Sequence, residues 1–265
     1  MDMSVWQVLA WSWHLPLYSR GWHSNREVFV RKMTERTFAE ILEETTEQCR
    51  VMDAPLGVRL KTVAETVRRL SPEFADVVDR MVARLTANGV GLAAPKPGEP
   101  MPEFVLPDDT GRLVKLSDLL AKGDVVLSFN RGHWCPYCQL NVDALAKIAP
   151  EIERLGAQIV AISPETRRYA GELKTYANAP FPILCDLDGG YALETNLLFW
   201  VGDEKRAAMQ ASGFDIAPYQ GNDTWMLPIP ATFVVGQDGL VKSRYIDPDY
   251  RHRMEVDDLL AALRS

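Results

Sequence analysis

The segment that most restricts the fold is a junction. Val125-Val126-Leu127-Ser128-Phe129 reads as a buried central strand, and Leu140, Leu145, Ile148, Ile152 and Leu155 follow at helical spacing. Between them stands Arg131-Gly132-His133-Trp134-Cys135-Pro136-Tyr137-Cys138. A Cys-x-x-Cys that ends a strand and opens a helix sets its first sulfur over unpaired backbone N–H groups, where the positive helix end favours thiolate. Pro136 suits the first helical position, which needs no N–H partner. Cys138 falls about one turn further along, within reach of a disulfide. The spacing therefore predicts Cys135 as the exposed nucleophile and Cys138 as the resolving thiol. Attack on a peroxide would leave a sulfenic acid on Cys135 that Cys138 closes to a disulfide. Attack on a protein disulfide would proceed by exchange.

Zinc is the main rival for this pair, because Cys-x-x-Cys is half of many four-ligand sites. The further candidates Cys49, Cys185, His14, His23, His133 and His252 are isolated in sequence, and Gln139 removes the haem-attachment pattern. The leading reading is a redox pair with no metal and no bound organic cofactor. A zinc-bound or purely structural pair, in a module whose helices recruit a partner, is the reading from a different class.

Around the junction the chain alternates strand and helix, which predicts an α/β fold with a central sheet covered by crossover helices. Phe104-Val105-Leu106 and Arg112-Leu113-Val114 flank the turn Asp108-Asp109-Thr110-Gly111 as a hairpin. Residues 159–163 make the next strand, 165–176 its helix, and 181–185 a short strand. A hairpin follows at 231–235 and 240–245, and 256–263 forms the closing helix. The interval 196–225 fits no period. Upstream, 33–89 reads as a helical extension of three amphipathic helices. Their stripes are Phe38, Ile41, Leu42 and Cys49; then Leu56, Leu60, Val63, Val67 and Leu70; then Phe74, Val77, Val78, Met81, Val82 and Leu85. Ser71 and Pro72 start the third helix, and Asn88-Gly89 closes it. Packing on the neighbouring domain is the common use of such stripes, and pairing two subunits as a homodimer is another. Residues 90–102, with Pro95, Pro97, Pro100 and Pro102, read as a linker to the domain at 103–265. Residues 1–32 hold four Trp but no sustained period.

A net charge of −7 argues against nucleic acid as a partner. Arg167-Arg168 and Arg251-His252-Arg253 are short, flanked by acids, and read as solvated faces. Four cysteines are too few for a disulfide scaffold, and Cys49 and Cys185 read as structural. The first residues lack the pattern of a signal peptide, and no run reaches the length of a membrane span. The sequence is read as soluble and cytoplasmic.

From about Pro97 onward, these segments together resemble the peroxiredoxin-like members of the alkyl hydroperoxide reductase and thiol-specific antioxidant family. The resemblance rests on Phe104-Val105-Leu106-Pro107, Arg131 to Cys138, Ala161-Ile162-Ser163-Pro164-Glu165, Phe181 to Asp186, Leu227 to Val235, and Asp247-Pro248-Asp249-Tyr250. It implies a thioredoxin-like fold with Cys135 as peroxidatic nucleophile. The implied substrate is a hydroperoxide or a disulfide, with a thioredoxin or glutathione system as reductant. Pro230, just before the strand at 231–235, matches the cis-proline that lines the substrate groove of such folds. Two positions depart from the family. Gly132 stands where a Thr or Ser orients the peroxide, and Pro230 where an Arg lowers the thiol pKa. Arg131 could return some of that charge. Trp134-Cys135 and Cys138 look like thioredoxin, and Cys135-Pro136-Tyr137-Cys138 looks like glutaredoxin. Phe129 replaces thioredoxin's buried acid, and His133 is either a proton shuttle or a groove-lining residue.

Overall fold

The computed structural model describes residues 36–265, so the unpatterned stretch 1–32 lies outside the described residues. Three helices come first: α1 (Phe38–Val51), α2 (Leu56–Leu70) and α3 (Pro72–Ala87). Their apolar spacing carries Cys49, Leu56, Leu60, Val63, Val78, Met81 and Leu85 into the core. Ser71 takes the N-cap position of α3 and Pro72 its first turn, although the Ser71 hydroxyl makes no capping bond. Asn88 ends the helix, and Gly89 follows at φ +63°, a left-handed turn open to a residue without Cβ.

Next, β1 (Val105–Pro107) and β2 (Leu113–Lys115) form the expected hairpin, and α4 (Leu116–Leu120) follows. The chain then winds β3 (Asp124–Phe129), α5 (Pro136–Arg154), β4 (Ala157–Ser163), α6 (Arg167–Ala177) and β5 (Ile183–Cys185), with β3, β4 and β5 parallel. A 3-10 turn (Leu187–Gly189) and α7 (Gly190–Glu194) lead into the interval that showed no period. It contains β6 (Leu198–Trp200), α8 (Asp203–Ala211) and α9 (Ala217–Gln220), and β7 (Met226–Pro228) returns antiparallel to β6. Most of these elements are too short to leave a periodic trace. Finally come β8 (Ala231–Val235), β9 (Val241–Ile246) and α10 (Val256–Arg264).

The main sheet has the order β5-β4-β3-β8-β9, with β3 central, parallel to β4 and antiparallel to β8. This is the mixed, helix-flanked sheet of a thioredoxin-like fold. The pleat of β3 divides its side chains between two cores. Val125, Leu127 and Phe129 join Cys135, Cys138 and the apolar stripes of α1, α2 and α3. Val126 faces the other way, among residues of α5, α6 and α10.

Polar contacts fix the first helices against the sheet domain. Arg59 on α2 and Asp143 on α5 are both buried and meet at 3.6 Å, and Lys147 reaches the same carboxylate at 2.7 Å. The Glu255 carboxylate accepts the Leu56 and Gly57 N–H groups at 3.1 and 2.7 Å, capping α2 from the far end of the chain. Arg251 reaches Asp79 on α3 at 2.8 Å. The Pro-rich segment 90–102, read as a linker, is bonded along β9 and its turn. Gly98 N–H donates to Val241 O at 2.8 Å, Val241 N–H to Glu99 O at 2.9 Å, and Met101 N–H to Gly239 O at 3.0 Å.

Removing one member of a buried ion pair strands the other charge. Asp143→Ala is expected to lower the unfolding free energy by about 3 kcal/mol in urea, and adding Arg59→Met should recover most of the loss.

Candidate active site

The loop from β3 to α5 leaves the sheet in a fixed direction. Asn130 N–H donates to Ile162 O of β4 at 2.8 Å, and its Nδ2 donates to Ser128 O at 2.9 Å. Cys135 is the N-cap residue of α5, with Pro136 in the first turn. The Cys135 carbonyl accepts the Cys138 and Gln139 N–H groups at 2.9 and 3.0 Å. The helix thus starts where the sequence predicts. Exposure differs, however, because Cys135 is only 1% accessible and Cys138 0%. The expected exposed nucleophile is covered because aromatic side chains close around the loop. The Arg131 guanidinium stacks on the Tyr250 ring at 3.8 Å and the Trp134 ring at 4.9 Å, and Tyr137 meets Tyr250 edge-on at 5.4 Å.

Two buried guanidiniums flank the sulfurs. Arg131 Nη1 lies 3.9 Å from Cys135 Sγ, and the Arg131 backbone N–H donates to Cys138 Sγ at 3.3 Å. Arg253 Nη2 donates to Cys138 Sγ at 3.4 Å, while its Nη1 is held by the Tyr250 and His252 carbonyls. Arg131 is 2% exposed and Arg253 6%, so neither forms a solvated face. The reading of Arg251-His252-Arg253 as such a face fails at Arg253. The chain there is neither helix nor strand. His252 points out to Asp247 at 2.8 Å, Arg251 pairs with Asp249 at 2.7 Å, and Arg253 turns inward. No periodic signal marked it; the family-like Asp247-Pro248-Asp249-Tyr250 just upstream was the nearest pointer.

On the other side of the loop lies Glu165, to which the residue pattern assigns no role. It is fully buried, accepts the His133 N–H at 2.7 Å and the Ser163 hydroxyl at 3.1 Å, and meets His133 Nδ1 at 2.7 Å. Burial is the largest influence on Glu165 and raises its pKa against the lowering effect of His133. The His133 ring stacks on Tyr169 at 4.9 Å and meets Tyr219 edge-on at 4.8 Å, while Trp134 meets Phe214 at 5.3 Å. His133 and Trp134 therefore line a half-exposed aromatic wall beside the dithiol. Gly132 sits at φ +147°, and a Cβ there would lie 2.6 Å from Glu165 Oε1 and 2.5 Å from Trp134 Nε1. The Gly132 departure thus has a local cause, since the carboxylate and the indole fill the space of a side chain.

Pro230 is buried immediately before β8, where Ala231 pairs with Phe129. Among the described residues no peptide bond is cis, so the cis geometry expected at Pro230 is not adopted. Ile229 N–H donates to Leu197 O at 2.8 Å and β7 pairs with β6 just ahead of it. Cys49 and Cys185 are buried apart from the pair. Burial, reinforced by nearby carboxylates, pushes the Cys185 thiol up to about 12, and burial also raises Cys49. Among the described residues no group of three or more His, Cys, Asp or Glu side chains is placed to hold a metal ion. Among the same residues no helix is long and apolar enough to cross a membrane.

The two active-site thiols titrate as one system. Burial opposes charge on both, and the interaction between the two thiols raises Cys135 and lowers Cys138. The neighbouring thiol, the Arg253 guanidinium and the Arg131 N–H overcome burial at Cys138 and lower it to about 5. The helix N-terminus favours charge on Cys135, but the Arg253 guanidinium and the Arg131 N–H are both aimed at Cys138.

A family model described as the AhpC/TSA family matches residues 97–244, more than half of the chain. The 1-Cys peroxiredoxin PER1 of Hordeum vulgare is 25% identical over 175 residues, covering 63% of this chain and 71% of that protein. The thiol-disulfide oxidoreductase ResA of Bacillus subtilis (strain 168) is 28% identical over 146 residues, covering 54% and 64%. Among solved structures, peroxidoxin BcpB from Mycobacterium tuberculosis superposes with a TM-score of 0.50 at 25% identity, covering 64% of this chain and 97% of that one. Peroxidase and disulfide-exchange relatives thus meet on the same thioredoxin-like frame. The chain belongs to the AhpC/TSA family and is a peroxiredoxin-like, thiol-dependent oxidoreductase.

Proposed function

We propose that the Cys135 and Cys138 pair reduces hydroperoxides through a Cys135 sulfenic acid and a Cys135–Cys138 disulfide, which a thioredoxin or glutathione system reopens. The observation that carries this reading is the placement of each sulfur against a buried guanidinium, Arg131 at 3.9 Å from Cys135 and Arg253 at 3.4 Å from Cys138. The proton on Cys135 first passes to Cys138. The Cys135 thiolate then attacks the distal oxygen, the O–O bond breaks, and the alkoxide takes a proton from solvent to leave as the alcohol. Next the Cys138 thiol attacks the sulfenic sulfur, the S–S bond forms, and water leaves. Two exogenous thiols restore the dithiol and are themselves oxidised to a disulfide. A cytoplasmic setting, where thiols are kept reduced, suits this cycle. Because both sulfurs are buried, substrate entry requires the aromatic cover to move.

A second reading is disulfide exchange by the same pair with little peroxidase activity. Gly132 favours it, because no hydroxyl at that position can orient a peroxide. Rates of hydroperoxide consumption and of insulin disulfide reduction, measured on one preparation, separate the two.

Cys135→Ser is expected to lower hydroperoxide turnover by at least about a hundredfold. Cys138→Ser should leave a sulfenic acid on Cys135 that a dimedone label finds by mass spectrometry. Full turnover by the Cys135 variant, or a sulfenic acid on Cys138 in that variant, would assign attack to the other sulfur. Gly132→Thr, which restores the family's residue, should abolish activity rather than improve it. It places a β-branched residue at positive φ against Glu165. A faster Gly132→Thr enzyme would show that Glu165 gives way.

A further inference from the structure

The charges around the dithiol do not balance once the sulfurs are joined. Arg131 and Arg253 are both buried, and among the described residues neither pairs with a carboxylate. The nearby carboxylate of Asp249 is committed to Arg251, through bonds of 2.8 and 2.7 Å. Lys205 on α8 adds a third basic group. It is 2% exposed and its Nζ rests 3.4 Å from the centre of the Phe74 ring. Burial first, then repulsion by Arg131 and Arg251, depresses Lys205 to about 6. The Nε atoms of Arg131 and Arg253 have no hydrogen-bond partner. The one counter-charge the site makes for itself is a thiolate.

We infer that the buried guanidiniums of Arg131 and Arg253 hold the dithiol in its reduced, singly ionised form, so that the Cys135–Cys138 disulfide is a strongly oxidising bond and the reduced protein is the more stable fold. This rests on the proposed disulfide cycle and adds its thermodynamic direction. Oxidation removes two electrons and the remaining shared proton, forms the S–S bond, and replaces the thiolate by a neutral disulfide. Arg253 then loses the charge it meets at 3.4 Å and Arg131 the sulfur at 3.9 Å, while both stay charged and dry. A pair whose reduced form is stabilised in this way is easily reopened by external thiols. Peroxide supplies a driving force large enough to close it in spite of that cost.

The test uses the full-length chain equilibrated with reduced and oxidised glutathione at pH 7, acid-quenched, denatured and alkylated, with the Cys135–Cys138 state read by mass spectrometry. Arg253→Met should lower the ratio of dithiol to disulfide at fixed glutathione by about tenfold, the equivalent of one pKa unit at the sulfur. Arg253→Lys, whose ammonium is neutralised more easily by burial, should fall between the two. Independently of any variant, the oxidised wild type should unfold at lower urea than the reduced wild type, the reverse of what loop closure by a disulfide gives. An oxidised wild type at least as stable as the reduced form, or an Arg253→Met ratio equal to wild type, would overturn the inference. Failure of any Cys135–Cys138 disulfide to form would instead overturn the proposed cycle.

Discussion

A negative charge on sulfur can persist inside this protein because Arg253 and Arg131 meet it there. An isolated buried thiolate would simply take up a proton, since desolvation penalises the charged form. Arginine suits the task better than lysine. Its guanidinium stays ionised in a dry site, where Lys205 in the same pocket drops to about 6. Arg131 arrives with the loop that carries the cysteines, whereas Arg253 comes from 115 positions beyond Cys138. The chemistry of the motif is therefore incomplete until the last segment of the chain has closed over it.

That last segment also ties the first helices to the sheet. Between β9 and α10 it supplies contacts to several elements. Asp249 holds Arg251, Arg251 reaches Asp79 on α3, Arg253 meets Cys138, and Glu255 caps α2. A turn closed by the His252 N–H on Asp249 O at 2.9 Å sends these side chains in different directions. The outward residue His252 pairs with Asp247 and stays near the surface. A single stretch thus links the helices at the start of the described chain to the sulfur chemistry.

Much of this was legible from the residues. The junction of Val125–Phe129 with Cys135 and Cys138, the three amphipathic stripes, and the two hairpins all carry strong periodic or turn signals, and the structure forms each of them. The ribbon of β6 and β7 with α8 and α9 was not legible, because three-residue strands and a charged nine-residue helix leave no apolar period. Arg253 was misplaced for a related reason. A charged residue is read as solvated unless its partner is in view, and the partner here is a sulfur far away in sequence. The exposure of Cys135 was misjudged because the aromatic cover is assembled from Trp134, Tyr137 and Tyr250, which no local spacing brings together.

Glu165 shows how one buried group can account for a departure that looks like a loss. Read alone, Gly132 removes the hydroxyl that orients a peroxide in relatives of this family. In the structure the space beside Gly132 is taken by a carboxylate that fixes the backbone and imidazole of His133, two residues before the nucleophile. Glycine is required there because the backbone turns through φ +147° and passes against that carboxylate. Burial raises the pKa of that carboxylate, and the hydrogen bonds it accepts oppose the rise. It accepts from the His133 N–H and from Ser163, and losing those bonds would free the loop that presents Cys135. The loop is therefore set by Glu165 from one side and by Arg131 from the other. The site has exchanged a hydroxyl that would touch substrate for a rigid mount beneath the dithiol.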